Sequence, residues 1–587
     1  MLQNLLPVKR LILMAAPICH RRIIVSNNIN PEKNPAILNT LTWDSEKIAD
    51  EINKNKNEIL KIGKHGTDEV KADSLIIKEI GILQDGRQVS LIKSANGQAA
   101  FMESSSGPIA NDPQNPPFLS FSEEKKNVDI FECNYSSTAE YLRLLKDDKH
   151  SKALGYESRL GIGSRMTTFS WGPALEVINK SGISSNLIQN SVREVRVFDE
   201  LEKGLPARDV YLYSFGTIKE GHTGSTFEGL WLSGTISAIL ANNAVPYGSD
   251  ADHIKIDNLD TSLERAKSII ESCKNYSFFT IDTSGVVEFD AEKVDLDDHI
   301  INTGNKLSDI YHYHNTAAGR SVNSVSIDRS FVEAMLVKYE NSLIAMEKLD
   351  SHLEEIKGKG NYDLEWSLDE IPAGVDVAAN ITSSDEIFFL LNEVKRREIN
   401  LTHIAPNLGV EKGVDYRING GREYLASLLG ELCRISSEFG IMVDVHSGDN
   451  LSTETRKVIN KASGGKIHYK ISPVTQEIFA ETLFEKSYED FLFWWKEAFK
   501  YAQNQAEKGS TFAQKCLKTN EVSDGKPSPD DMVFHYYHYP PVGENYKDGN
   551  LYLREYLYSL NTDIYQAYSR KFAGYLDSIT KELFISE

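Results

Sequence analysis

Three histidines stand at the ends of strand-like runs: His253 in "GSDADHIKID", His446 in "IMVDVHSGD" and His468 in "GGKIHYKIS". If those runs are parallel neighbours, their imidazoles can converge. Three neutral nitrogens with an open position hold a catalytic divalent metal. Taken singly, each is more ordinarily a hydrogen-bonded structural histidine. The spacing matches no short metal motif such as HExxH. Asp444, two residues before His446, shares its side of a strand and can orient an imidazole from behind.

Carboxylates form a second group. "DLEWSLDEIP" (363–372) puts Asp363, Glu365, Ser367 and Asp369 on one strand face, with Leu364, Trp366 and Leu368 on the other. A solvated acidic face is the plainer reading. If the strand belongs to a barrel, however, Glu365 points into the interior, where a carboxylate beside a metal does acid–base work. Asp252 is the other candidate. It directly precedes His253, and adjacent strand residues point oppositely unless the strand ends or bulges there. Asp250 receives no role. "LIQNSVREVR" supplies Gln189, Arg193 and Arg196, and "SRLGIGSR" supplies Arg159 and Arg165. Gln189, Arg193 and Arg159 are the candidate substrate contacts, an arginine clamp on a carboxylate competing with surface salt bridges. His535 and His538 in "FHYYHYPP" either cap a site from a late loop or simply pack.

What must position these groups is an alternation that begins near residue 155. "RLGIGS" is strand-like, a helical segment runs to Gly182, and "SNLIQNSVRE" returns to strand. Leu263, Ala266, Ile269 and Ile270 have helical spacing and precede "FFTID". Ile387, Phe388, Leu390, Leu391 and Val394 precede "LTHIAPN". Leu425, Leu428, Leu429, Leu432, Ile435 and Phe439 share a helical face that ends at Gly440, where a C-terminal glycine belongs. Such alternation predicts parallel strands with right-handed crossovers. Functional groups recur at the C-terminal strand ends, and nothing resembles GxGxxG or a P-loop. The expectation is an α/β protein with a (β/α)8 TIM-like barrel rather than a doubly wound sheet.

Three parts are expected. Residues 1–22 form a poorly structured or targeting-like extension, residues 23–150 a small α/β domain, and residues 151–587 the catalytic barrel with C-terminal helices. "MLQNLLPVKRLILMAAPICHRR" has a basic pair and an apolar stretch, but His20-Arg21-Arg22 suits cleavage poorly. "DFLFWWKEAFKYAQNQAEKG" reads as a core-packing helix. The net charge of −21 disfavours a nucleic-acid partner, and no apolar run reaches the roughly 18 residues of a membrane helix. The 5 cysteines are sparse, without a CxxC pair, which fits a reducing compartment; a cytoplasmic location is expected.

In order, "RLGIGS", "QNSVRE", "GSDADHIK", "FFTID", "EWSLDE", "KGVDY", "DVHSGDN" and "GGKIHYK" resemble the tagaturonate/fructuronate epimerase family over about 155 to 475. The resemblance implies a divalent-metal-dependent 4-epimerase of hexuronate ketoses. It implies His253, His446 and His468 as ligands, Asp252 as proton acceptor and Glu365 as donor. Imidazole nitrogen suits zinc, manganese, cobalt, nickel or iron. The implied partner is a small-molecule sugar acid. The chain departs from the pattern at 197–231, at "NLST" after "DVHSGD" and at "EIPAGVDVAAN". Inserted loops at a barrel's C-terminal face reshape the pocket and leave the substrate open. A metal-dependent aldolase or hydrolase on the same barrel, or a sugar-acid binding protein without turnover, are the competing expectations.

Overall fold

The computed structural model describes residues 45–61, 69–72, 75–94, 99–107, 116–123, 126–145, 149–163, 167–191, 194–195, 198–199, 227–289, 307–321, 325, 327–372, 375–522, 525–537, 556 and 560–585. The extension expected at 1–22 lies outside them.

Within the first part, β1 (Glu69–Ala72), β2 (Leu75–Ile82), β3 (Gln88–Ser94), β4 (Ala99–Ser105), β5 (Leu119–Glu123) and β6 (Lys126–Glu132) form an antiparallel sheet. Its order is β1-β2-β3-β4-β6-β5. Both faces are covered. Ile77, Ile92, Met102, Val128 and Ile130 pack on Ile48, Ile52, Ile59 and Leu60 of the helices Ser45–Lys54 and Lys56–Lys61. Val89, Leu91, Phe101 and Phe131 face the other way and join the main core. Lys78, almost wholly buried, is tolerated because its ammonium donates to the Leu240 carbonyl at 3.0 Å.

The alternation beyond residue 155 closes into a barrel of parallel strands. They are β7 (Arg159–Ile162), β8 (Ser184–Gln189), β9 (Tyr247–Lys255), β10 (Phe278–Asp282), β11 (Asp363–Ser367), β12 (His403–Ala405), β13 (Met442–Val445) and β14 (His468–Ile471). They pair in chain order, and β14 pairs with β7 to close the ring. Helices cross between successive strands. Ser384–Arg396 shows why the chain turns where it does: Ser383 and Glu386 form a reciprocal capping box at its start. Leu425, Leu428, Leu429, Leu432 and Ile435 are the buried face of Gly421–Glu438, and Gly440 follows with φ +71°.

The C-terminal part is helical. Phe491 and Trp494 of Tyr488–Glu507 are buried in the main core. The last helix, Thr562–Phe584, straps the outside of the barrel where β14 meets β7. Its Asp577 accepts from Lys180 at 3.3 Å, and its Glu582 carbonyl accepts from Asn460 at 3.0 Å. Among the described residues no helix is long and apolar enough to cross a membrane.

Candidate active site

The barrel interior is polar from floor to mouth, and its side chains fall into layers set by the strand period of two. The floor is built on first-strand residues. Arg159 of β7 reaches across the lumen to Asp363 of β11 at 2.8 Å, and both side chains are almost fully buried. Asp363 also accepts from the backbone N–H groups of Leu154 and Gly155. Arg159 is therefore committed to closing the N-terminal mouth, the end opposite the substrate pocket of such barrels. The sequence placed Arg159 among the candidate substrate contacts; in the structure the strand begins at this residue and its guanidinium is paired with Asp363. Removing one partner of a buried pair is costly. Arg159→Met is expected to lose about 3–5 kcal/mol in chemical denaturation while leaving KM unchanged. A normal unfolding midpoint would refute the structural assignment.

Above the floor, His468 and His403 pack edge-on around Phe278, with ring centroids 5.2 and 4.8 Å from it. His468 Nδ1 lies 2.8 Å from Asp444 Oδ2. Both imidazoles are fully buried. Burial holds both well below the usual histidine range, with Lys470 adding to it at His468 and Arg159 at His403. The next layer is a charge cluster. Lys470 Nζ lies 2.9 Å from Glu365 Oε2, 3.0 Å from Asp250 Oδ2 and 2.9 Å from Thr280 Oγ1. Gly161 makes room for it: a Cβ there would stand 2.7 Å from both His468 Nε2 and Lys470 Cγ. Burial pushes Glu365 upward, but Lys470 and His446 outweigh it and hold that carboxylate far below its ordinary range. Asp444, buried beside Glu365, is pushed well above it. The two carboxyls thus divide into one anion and one acid, as like charges in a dry site must.

The mouth carries the cavity. It is lined among others by Gln189, Asp252, His253, Asp282, Lys412, His446 and Lys470. Asp252 and His253 both face it because β9 bulges. Ala251 pairs with Phe279 and Ile254 with Ile281, so two residues oppose Thr280 alone. His253 takes up the extra length with φ +64°, a strained conformation for a side chain of its size. Gln189 donates to Asp252 Oδ2 at 2.8 Å, and the His253 N–H donates to Oδ1 at 2.9 Å. Burial raises the Asp252 carboxyl, but His253 and Lys470 prevail and hold it well below the carboxylate range. His446 sits between two carboxylates, Nε2 3.0 Å from Glu365 and Nδ1 3.0 Å from Asp369. Burial lowers it, yet Asp369 and Glu365 raise it to about 10.

The structure thus brings Asp252, His253, His446 and Gln189 to one mouth. It sets Glu365 just beneath, behind Lys470 and His446, and His468 one layer deeper. Among the described residues, the groups within reach of one ion are Glu365, Asp444 and His446, and His403, Asp444 and His468. Neither contains all three predicted histidines. The donors nevertheless fit a divalent cation. His446 and His468 each have Nδ1 tied to a carboxylate, which orients the ring; the His446 Nε2, 3.0 Å from Glu365, shares with that carboxylate the position an ion would take. The buried His403 Nε2 has no hydrogen-bond partner among the described residues. Asp444 does orient an imidazole, but that of His468; Asp369 serves His446. Arg193 and His538 lie outside the described residues.

A family model described as tagaturonate epimerase matches residues 91–542, a span that starts inside β3 and takes in the whole barrel. The chain belongs to the tagaturonate epimerase family. It is thereby placed among sugar-acid epimerases, and the fold agrees. Two glycerol-complexed crystal structures of fructuronate-tagaturonate epimerase UxaE from Cohnella laeviribosi are each 14% identical to it. Both cover 91% of this chain, which spans 99% and 100% of theirs, with TM-scores of 0.59 and 0.62. No curated protein matches this member of the family. Lys470, Asp250 and Asp369 join the site although the sequence pattern assigned them nothing.

Proposed function

We propose that the protein inverts C4 of a hexuronate ketose, interconverting a tagaturonate-like and a fructuronate-like sugar acid. The observation that carries this is the mouth itself: an anionic Asp252, held by Gln189, faces the cavity above the buried Glu365–Asp444 pair. In a ketose with its carbonyl at C2 and carboxylate at C6, C4 adjoins neither, so its C–H is not acidified. The C4 hydroxyl is the better acid. Asp252 takes that proton, the C3–C4 bond breaks, and its electrons pass into an enediolate on the three-carbon ketone fragment. C4 becomes an aldehyde carbon, turns over and recloses with the other hand. The returning alkoxide is protonated from the far side by Glu365, which draws on the proton held at Asp444. Lys470, buried between Asp250 and Glu365, offsets the negative charge that builds nearby.

A divalent cation held by His446 and His468, with His253 as the third nitrogen, would supply Lewis-acid stabilisation to the same charge. Metal analysis of purified variants checks the set. His446→Ala is expected to lose its metal. Full retention in His253→Ala would move the site to the group of Glu365, Asp444 and His446. The reaction is tested by incubating metal-loaded protein with a panel of keto-uronates in D₂O and following it by NMR. The expected product is the C4 epimer without deuterium at C4; deuterium at that carbon would rule out the bond-breaking route. Accumulation of separate three-carbon products would instead mark an aldolase.

A further inference from the structure

Asp252 and His253 share the cavity only because β9 bulges. A bulge that keeps a histidine at φ +64° persists only where its surroundings hold it there. On the β8 side the strand ladder cannot do so. β8 runs beside β9 as far as Gln189, which pairs with Asp250, and ends there. The N–H and C=O of Asp252 lie beyond that last rung. Buried backbone groups without a partner are costly, so another group has to meet them.

Asn190 meets both. Its Oδ1 accepts the Asp252 N–H at 2.7 Å, and its Nδ2 donates to the Asp252 carbonyl at 2.8 Å. The planar side-chain amide thus pairs with Asp252 as a further residue of β8 would. Nδ2 also donates to the Ser191 carbonyl at 3.2 Å, so both N–H groups of this buried amide are used within the protein. The turn that carries Asn190 is itself tied. Glu194, fully buried, accepts from the Ser191 N–H at 2.7 Å and from its hydroxyl at 2.9 Å. Neither an aliphatic side chain nor a carboxylate offers a donor and an acceptor in one plane. Glutamine has the same group, but one methylene farther out. We infer that Asn190 is a positioning residue of the site: its amide holds the bulge of β9, and through the bulge it sets where the Asp252 carboxylate and the His253 ring stand over the cavity. The consequence for turnover rests on the epimerase reading above. The consequence for the backbone of β9 does not.

Two variants test this. Asn190→Leu keeps the volume and removes both hydrogen bonds; Asn190→Ala removes them and leaves room for water. Hydrogen exchange followed by mass spectrometry should speed up about tenfold or more in the peptide covering β9, with β10 and β13 as in wild type. On the metal-loaded protein, kcat for the keto-uronate should fall about a hundredfold, the scale of misplacing a reacting group by about 1 Å. KM should stay within about threefold, and so should the affinity for galacturonate, which lacks the C2 ketone and reports binding without turnover. In an Asp252→Asn background, Asn190→Ala should cost less than about threefold more, because the base it positions is already gone. A full multiplicative loss in the double variant overturns the inference, as does exchange that rises equally in every barrel strand. So does a rise in KM or a loss of galacturonate affinity that matches the fall in kcat, which would make Asn190 a substrate contact. Wild-type exchange and turnover in both single variants also overturn it. If β9 alone loosens but wild type forms no epimer from any keto-uronate, the epimerase reading fails and the hold on the bulge stands.

Discussion

Replacing Lys470 with methionine is expected to abolish activity and to cost about 3–5 kcal/mol of stability. The side chain is 6% exposed, and its partners Asp250 and Glu365 are completely buried. Methionine fills similar space beside Gly161 but leaves Asp250 without its counter-charge and Glu365 with His446 alone. One of them can escape by taking up a proton. Burial already raises Asp250 to about 7, against a usual 3.8, with the ammonium in place. A carboxyl whose folded pKa is raised favours folding below the unfolded value and opposes it as pH rises through the folded one. The variant should therefore lose least near pH 4 and progressively more through pH 7 and above. Glu365 has the second consequence. It is kept anionic chiefly by Lys470, so its charge and its division of protons with Asp444 change together. Turnover should fall by about a hundredfold or more, the scale of losing one preorganised charge partner at a reacting centre. Denaturant unfolding at two pH values and an NMR epimerisation assay check both parts. A variant as stable and active as wild type would remove Lys470 from the site.

The barrel was legible because its signal is repeated. Strands such as "FFTID" are short apolar runs, helices such as Ser262–Ser272 present one apolar stripe, and Leu425 to Ile435 is as plain in sequence as in structure. Position along a strand was less legible. "RLGIGS" announces β7, but nothing in it says that the chain enters the barrel at Arg159. The same ambiguity put His468 at the mouth, whereas it is the first residue of β14 and lies a layer below. Asp252 and His253 stood as a contradiction, since neighbours on a regular strand cannot share a face. The bulge against Thr280 removes it, and no residue type in "SDADHIK" demands a bulge. Lys470 was invisible for another reason. Two residues after a buried histidine, a lysine reads as a strand leaving the core. Its three acceptors come from β9, β10 and β11, on the other side of the lumen, and only closure of the ring brings them to it. Partnerships between different strands were likewise open: Asp444 of β13 serves His468 of β14, and Asp369, just after β11, serves His446, just after β13.

Asp252→Asn is expected to lower kcat about a thousandfold, within the 10²–10⁴ range of a general base, while galacturonate binding persists. The substitution keeps the shape and removes the charge. It should fold, at a cost of about 1 kcal/mol, because Gln189 and the His253 N–H both donate to this side chain and an amide can accept from only one. A second carboxylate competes for the role. Asp282 lines the same cavity, and burial raises it to about 6 although Ser284 donates to it. The two are separated by the pH dependence of kcat, because a base works only when ionised. Asp252 is held well below the usual range by His253 and Lys470, so a rate that depends on it stays level as pH falls from 8 through 6. A rate that depends on Asp282 declines as pH falls through about 6. A profile with that acidic limb, together with more than about a tenth of wild-type activity in Asp252→Asn, would transfer the base to Asp282. A level profile with the large loss keeps it at Asp252, because the bulge that places this carboxylate over the cavity also places His253 beside it to keep it ionised.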